Sequence, residues 1–224
     1  MEQKITGRSA YIPALIVYSL LFYAAWAVME LVLDPMLKGS LGEGVLYAFL
    51  KDGVIKNIVW TLPAVLLVRQ FDGEVLVRLC DIFNVRVKWL HYLPVFAFLI
   101  VWAIANPLLS GGLKINEDFG WNSIIVTLFV GITEEMVFRG WLLNITAAKW
   151  NQWVAVAVNA VLFILIHFPC WIADGRFVPI MTSFSFVTIA ILGTIFSVSF
   201  LKSKSLLVPI AMHMLWDLLG FMFF

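Results

Sequence analysis

Long apolar runs recur along the chain and are separated by short polar segments. Most of these runs approach the length of about 20 residues that a helix needs to cross a bilayer. Seven stretches are distinguished, with approximate bounds: Tyr11–Leu33, Gly53–Val68, Tyr92–Leu109, Trp121–Thr146, Trp153–Phe168, Val178–Leu201 and Leu206–Phe223. Because lipid offers the backbone no hydrogen-bond partners, these stretches must be helices. The pattern predicts an all-α fold, a polytopic transmembrane helix bundle of about seven spans.

No internal repeat and no low-complexity linker divides the chain, so we expect residues 1–224 to form a single membrane domain. The second stretch is the least regular, because it is short and contains Lys56 and Pro63. In the connection that follows, Glu74–Leu90, apolar positions lie opposite charged ones. This segment is interpreted either as an amphipathic stretch in the membrane interface or as an ordinary polar connector.

The composition agrees with a membrane bundle. Of the 224 residues, 62% are hydrophobic and 13% are charged, whereas soluble domains carry roughly 45–50% and about 25%. A soluble globular enzyme and a disordered chain are therefore excluded, and the lipid bilayer is the expected surrounding. The net charge of +1 provides no basic surface for phosphate, so no nucleic-acid partner is expected. Cys80 and Cys170 have no metal-like spacing and are interpreted as incidental thiols.

The basic residues predict an orientation. With the N-terminus in the cytosol, nine fall in cytosolic segments: Lys4, Arg8, Arg69, Arg78, Arg86, Lys88, Lys149, Lys202 and Lys204. Five fall on the opposite side: Lys38, Lys51, Lys56, Lys114 and Arg176. This asymmetry obeys the positive-inside rule. We expect an integral multi-pass protein of the plasma (inner) membrane with a cytosolic N-terminus.

Several ionisable residues remain inside the predicted spans. They are Glu134, Glu135, Arg139 and Asp217, accompanied by His167 and His213. A charge at the bilayer centre costs roughly 2.5–3.5 kcal/mol on insertion scales, so four of them could cost on the order of 10 kcal/mol if unpaired. Residues this costly indicate a functional site. Glu30 and Lys56, at the edges of spans, are expected to snorkel to the interface and to be structural.

The spacing relates these residues to one another. Glu135 and Arg139 are four apart with the acid first, which is the favourable order for a helical ion pair. Glu134 is then left without an intrahelical partner and is a candidate general base. Glu134 lies 16 residues before Trp150 and His167 lies 17 after it. In a helical hairpin that turns near Trp150, the two side chains reach nearly the same depth.

The last span carries His213 and Asp217, which are four residues apart. This spacing places imidazole and carboxylate on one helix face, one turn apart. Such a pair can orient a histidine tautomer, coordinate a metal or hold a polar substrate group. It can also be a self-satisfied polar pair that joins helices.

Three motifs together resemble one known family. They are Glu-Glu-x-x-x-Arg (Glu134 to Arg139), Phe-x-x-x-His (Phe163 to His167) and His-x-x-x-Asp (His213 to Asp217). Their order, spacing and placement on separate spans resemble the CAAX protease and bacteriocin-processing family of intramembrane endopeptidases. The resemblance covers roughly the C-terminal half, with residues 121–224 as a motif-bearing catalytic core of about four spans. It implies hydrolysis of peptide bonds in a membrane-embedded peptide or protein substrate.

The resemblance also implies roles for the six residues. Glu134 would activate a water molecule with help from His167, and Glu135 and Arg139 would brace the site. His213 and the residue at position 217 would stabilise the oxyanion of the tetrahedral intermediate.

Position 217 departs from the pattern, because many relatives have asparagine where this chain has Asp217. The aspartate must then be protonated, orient His213 or bind a metal. The family is described both as zinc-dependent and as glutamate-dependent without metal. Two histidines with Glu134 would suit zinc, but we expect no obligatory metal or other cofactor.

Two other functions fit the same charged cluster. An ion-coupled transporter would use Glu134 and His213 as relay groups, but the matching halves common in transporters are not visible in the sequence. A non-catalytic membrane protein for bacteriocin immunity or binding is the other alternative.

Overall fold

The computed structural model describes residues 10–223, and within this range the chain is mostly helical and has no strand. Lys4 and Arg8 of the orientation argument lie outside the described residues. The helices are α1 (Tyr11–Leu41), α2 (residues 45–70), α3 (Trp89–Ser110), α4 (Trp121–Lys149), α5 (Gln152–Leu165), α6 (Phe168–Ala173), α7 (Phe177–Thr182), α8 (Phe186–Ser203) and α9 (Leu207–Phe223).

The predicted transmembrane bundle is confirmed. Five helical segments are long and apolar enough to cross a membrane, namely α1, α3, α4, α5 continued by α6, and α8. The shorter apolar helix α9 and the more polar helix α2 complete a set of seven. α4 packs against α2, α5 and α9, and α8 packs against α5 and α9. The motif-bearing helices therefore lie side by side.

Two predicted boundaries were wrong because buried ion pairs extend the helices. The first helix continues to Leu41 rather than ending at Leu33, and the second begins at residue 45 rather than at Gly53. The polar residues in these extensions pair across the two helices: Lys51 Nζ lies 2.9 Å from both Glu30 Oε1 and Asp34 Oδ1. Glu30 is thus buried and paired, and it does not snorkel as expected.

The predicted sixth span, Val178–Leu201, is interrupted. α7 ends at Thr182, and α8 begins only at Phe186. Between them Phe184 has φ 58°, a left-handed conformation that a helix cannot continue through. The break leaves α7 as a short separate helix at one end of the bundle.

The segment after α2 forms a packed connector, and the part of Glu74–Leu90 before Trp89 contains no regular helix. Residues 71–88 form turns and irregular backbone, and Val77 and Ile82 are buried. Asn144 of α4 clamps the segment, since its Oδ1 accepts from Val77 N at 2.8 Å and its Nδ2 donates to Val77 O at 2.8 Å. Ile82 O accepts from Leu206 N at 2.7 Å. We call this side of the bundle the closed end.

Four helical segments are wider than an α-helix and have π-helical hydrogen bonding. They are Met29–Leu33 in α1, Phe49–Ile55 and Asn57–Thr61 in α2, and Met136–Leu143 in α4. Each contains or adjoins a buried charged residue. Because π-helical turns occur frequently at functional sites, their clustering indicates where the site lies.

Candidate active site

Arg139 and Glu135 form a fully buried ion pair on α4. Arg139 Nη1 donates to Glu135 Oε1 at 2.9 Å, and Nη2 donates to the backbone oxygen of Gly193 at 2.8 Å. The guanidinium lies 4.5 Å from the centre of the Phe163 ring. A Cβ atom at position 193 would lie 3.0 Å from Phe163 Cδ1, so glycine allows α8 to approach this closely. The predicted i, i+4 pair thus also ties α4 to α8.

His213 on α9 is held by the same carboxylate. Its Nδ1 lies 2.8 Å from Glu135 Oε1, and because a carboxylate oxygen accepts, Nδ1–H donates. Its ring stacks on Phe196 at 5.0 Å. Nε2 then faces two further carboxylates, with Glu134 Oε2 at 3.8 Å and Asp217 Oδ2 at 3.5 Å. The orientation of His213 therefore aims Nε2 at the region between Glu134 and Asp217.

Glu134 and His167 line one cavity of about 280 Å³. The carboxylate of Glu134 accepts no hydrogen bond within 3.5 Å from any residue between 10 and 223. His167 lies in the turn between α5 and α6, where its Nδ1 is 2.8 Å from Phe163 O. Because a carbonyl accepts, Nδ1 carries the proton and the neutral ring keeps a lone pair on Nε2. The structure thus brings the two residues to one cavity, as their depths on the hairpin predicted.

Lys56 joins this cavity from α2, although its position at a span edge predicted snorkelling. Its Nζ lies 3.1 Å from Asp52 Oδ1 and 3.6 Å from Glu134 Oε1, and only 6% of the side chain is exposed. The rings of Trp26 and Trp60 each lie 4.9 Å from Nζ. The prediction failed because α2 begins eight residues earlier than expected and packs against α4. Asp52 and Lys56 have the acid-first, i, i+4 spacing of Glu135 and Arg139, a signal that was present in the sequence.

The site is contained in a segment that matches a known family. Residues 116–219 match the family model described as type II CAAX prenyl endopeptidase Rce1-like. Residues 116–219, which make up just under half of the chain, are similar to this family, and we call them the Rce1-like segment. The resemblance predicted from the three motifs is confirmed, and the family indicates a protease-type membrane enzyme with a peptide substrate.

The Rce1-like segment begins just before α4, and α1 to α3 lie outside it. A protein of Escherichia coli described as an uncharacterized 24.3 kDa protein is 26% identical over 219 residues, which cover 92% of this chain and 95% of that protein. No solved structure matches the chain.

The Rce1-like site does not form an evident zinc centre. No group of three or more His, Cys, Asp or Glu side chains within residues 10–223 is arranged to hold a metal ion. The ammonium of Lys56 already places a positive charge 3.6 Å from Glu134, which disfavours a second cation there. The described residues therefore give the zinc alternative no support, and the expectation that no metal is obligatory stays a prediction.

A second cavity borders the Rce1-like site on its other side. It measures about 850 Å³ and lies between α3, the start of α8 and α9, and the rings of Trp102 and Trp216 contribute to its walls. Asp217 lines this cavity, and 20% of its side chain is exposed. Asp217 therefore separates His213 from a larger, mainly apolar space.

Proposed function

We propose that the protein is an intramembrane endopeptidase that hydrolyses peptide bonds of membrane-associated peptides or proteins. The observation that carries the proposal is the cavity shared by Glu134 and His167. A carboxylate with no hydrogen-bond partner among the described residues faces a space large enough for water and a peptide group, deep among helices. General-base catalysis requires this combination of a base, a water molecule and low local dielectric.

In the proposed reaction, Glu134 removes a proton from a water molecule. His167 Nε2, the nitrogen that does not bond to Phe163 O, accepts the second O–H of that water and orients it. The water oxygen forms a bond to the carbonyl carbon of the peptide, and the carbonyl π electrons move to its oxygen. Glu134, now a carboxylic acid, gives the proton to the amide nitrogen as the carbon–nitrogen bond breaks.

His213 is the proposed donor to the developing oxyanion. In its doubly protonated form, Nε2–H points into the region between Glu134 and Asp217 and can donate to the carbonyl oxygen. Glu135 fixes the ring through Nδ1 at 2.8 Å, and Arg139 in turn fixes Glu135 at 2.9 Å. Asp217, 3.5 Å from Nε2, keeps this nitrogen protonated until the oxyanion forms. Preorganised donors of this kind commonly supply a large share of catalysis.

The packing of α4 supports an enzyme over an ion-coupled transporter. Every residue from 136 to 146 is buried, so the polar cavity ends at Glu134 and does not continue toward the closed end. A transporter would need access to its relay groups from both faces in turn.

The test is cleavage of membrane peptides by the purified protein in lipid nanodiscs. Glu134→Gln and His167→Ala should each lower turnover by at least about 100-fold, and Glu43→Gln, at an exposed carboxylate, should not. Mass spectrometry of peptides captured by Glu134→Gln would identify the substrate. Full turnover in both site variants, with unfolding temperatures unchanged, would refute the proposal. Protection against a peptide toxin that persists in Glu134→Gln would favour an immunity or binding protein.

A further inference from the structure

The charged group nearest to Glu134 on the cavity side comes from outside the Rce1-like segment. Lys56 belongs to α2, 60 residues before that segment begins at position 116. Its Nζ is 3.6 Å from Glu134 Oε1, whereas His213 Nε2 is 3.8 Å from Glu134 Oε2. Each carboxylate oxygen of the proposed base thus faces one nitrogen-bearing side chain.

Several contacts hold the Lys56 ammonium in place. Asp52 Oδ1 lies 3.1 Å away, one helical turn earlier, and the Trp26 and Trp60 rings lie 4.9 Å from Nζ. Rings at this distance attract a cation through their π faces. Lys56 also sits between two π-helical segments, Phe49–Ile55 and Asn57–Thr61, which change the face that this part of α2 presents. The ammonium is therefore fixed against Glu134 and does not sample many positions.

Stability alone does not explain this arrangement. Replacing a buried ion pair by apolar residues of similar size is often neutral or stabilising. Lys51, on the same helix, pairs with other carboxylates. It binds Glu30 and Asp34, each at 2.9 Å, and has no ion pair with Glu134.

We propose that Lys56 is a positioning residue for the general base, an inference that rests on the proposed endopeptidase function. Its ammonium keeps the Glu134 carboxylate ionised and directs Oε1, so that Oε2 remains turned toward His213 and the attacking water. The charged groups of the site then include Lys56 as well as Glu134, Glu135, Arg139 and Asp217. Helix α2 becomes part of the catalytic unit, which the family match alone does not include.

The experiment compares Lys56→Met and Lys56→Arg in steady-state cleavage of the captured peptide in nanodiscs. Lys56→Met should lower kcat by about 10- to 100-fold with KM changed less than about threefold, because the residue acts on the base and not on substrate binding. Lys56→Arg retains the positive charge and should restore kcat to within about fivefold of wild type. The control Lys149→Met removes a half-exposed lysine that pairs with Glu74 at 3.0 Å, and it should leave kcat within about twofold of wild type.

A double variant separates positioning from a structural role. Lys56→Met leaves Asp52 without its partner, and the variant could lose activity simply by unfolding. In Lys56→Met with Asp52→Asn the unpaired charge at position 52 is gone. If Lys56 served only to neutralise Asp52, kcat would recover together with the unfolding temperature. The proposal predicts that kcat stays at least about tenfold low while the fold is restored.

The possible outcomes distinguish this inference from the proposed function. If wild type cleaves and Lys56→Met or the double variant keeps a wild-type kcat, the positioning role is overturned and the protease stands. If Lys149→Met lowers kcat as much as Lys56→Met, the effect is not specific to the contact with Glu134, and the role is likewise overturned. If wild type does not cleave the peptides that Glu134→Gln captures, the endopeptidase function itself fails.

Discussion

The substitution Arg139→Met tests whether the ion pair on α4 braces the site. The guanidinium is completely buried and makes three hydrogen bonds, at 2.9 Å to Glu135, at 2.8 Å to the carbonyl of Gly193 and at 3.4 Å to Ser197 Oγ. Methionine removes all three donors without a large loss of apolar volume. Glu135 then keeps His213 as its one remaining partner among the described side chains.

The expected cost follows from the burial of the charge that is left behind. Removing one partner of a buried ion pair destabilises a protein by about 3–5 kcal/mol. In a chain of this size each kcal/mol shifts the unfolding temperature by about 2–4 °C. Arg139→Met should therefore unfold about 6–20 °C below wild type, and its cleavage activity should be lost because Glu135 no longer fixes His213.

The assay is thermal unfolding in detergent followed by fluorescence of the ten tryptophans, alongside cleavage in nanodiscs. A matched control is Arg78→Met, since Arg78 pairs with Asp72 at 2.7 Å but is 64% exposed. This exposed guanidinium lowers the pKa of Asp72, yet water screens such pairs and the unfolding temperature should not change measurably.

The double variant Arg139→Met with Glu135→Gln completes the test. Without the carboxylate there is no unpaired buried charge, so much of the lost unfolding temperature should return. Cleavage should stay absent, because His213 Nδ1 no longer donates to a carboxylate. An unfolding temperature of Arg139→Met within about 2 °C of wild type would refute the reasoning that the pair is a structural brace.

Three further predictions concern other parts of the molecule. If the N-terminus is cytosolic, a membrane-impermeant maleimide should label Cys170, which lines the Glu134 cavity, in intact cells. It should label the exposed Cys80 only in inverted vesicles. The reverse labelling pattern would place the cavity on the cytosolic face. Asn144→Ala should destabilise the protein by about 2–4 kcal/mol, because two buried hydrogen bonds to the connector are lost, and an unchanged melting curve would contradict the clamp. Gly131→Val should lower cleavage by about 100-fold, because a Cβ atom at this position would lie 2.7 Å from Met214 Cγ and would displace α9. The control Gly39→Ala should cleave like wild type, because a Cβ atom at position 39 meets no neighbouring side chain within 4 Å.

Local spacing predicted the parts of the site that lie within one helix or one hairpin. Glu135 and Arg139 pair because residues four apart share a helix face, and the shared depth of Glu134 and His167 follows from equal distances along a hairpin. Both inferences need only the helical rise per residue. The five helices that can cross a membrane and the shorter apolar helix α9 likewise follow from apolar length.

The remaining features depend on packing between distant segments. Lys56 is 78 residues from Glu134 in sequence. Its position near the start of the predicted second stretch suggested a residue at the membrane edge, whereas α2 begins at residue 45 and places Lys56 inside the bundle. On α8, Arg139 donates to the backbone carbonyl of Gly193. Because every residue has a backbone carbonyl, the sequence does not reveal which one accepts this hydrogen bond. After α2 the sequence shows only that apolar positions lie opposite charged ones, whereas the burial of Val77 and Ile82 depends on contacts with the distant residues Asn144 and Leu206.

The closed end has a consequence for the membrane in which the protein sits. A carboxylate that is wetted from both sides of a bilayer would give protons a path from one aqueous phase to the other. Here residues 136–146 are buried, and the connector clamped by Asn144 covers that end. Water can therefore reach Glu134 from one side while the bundle remains an insulator. A hydrolase built this way can work in an energised membrane without dissipating its proton gradient.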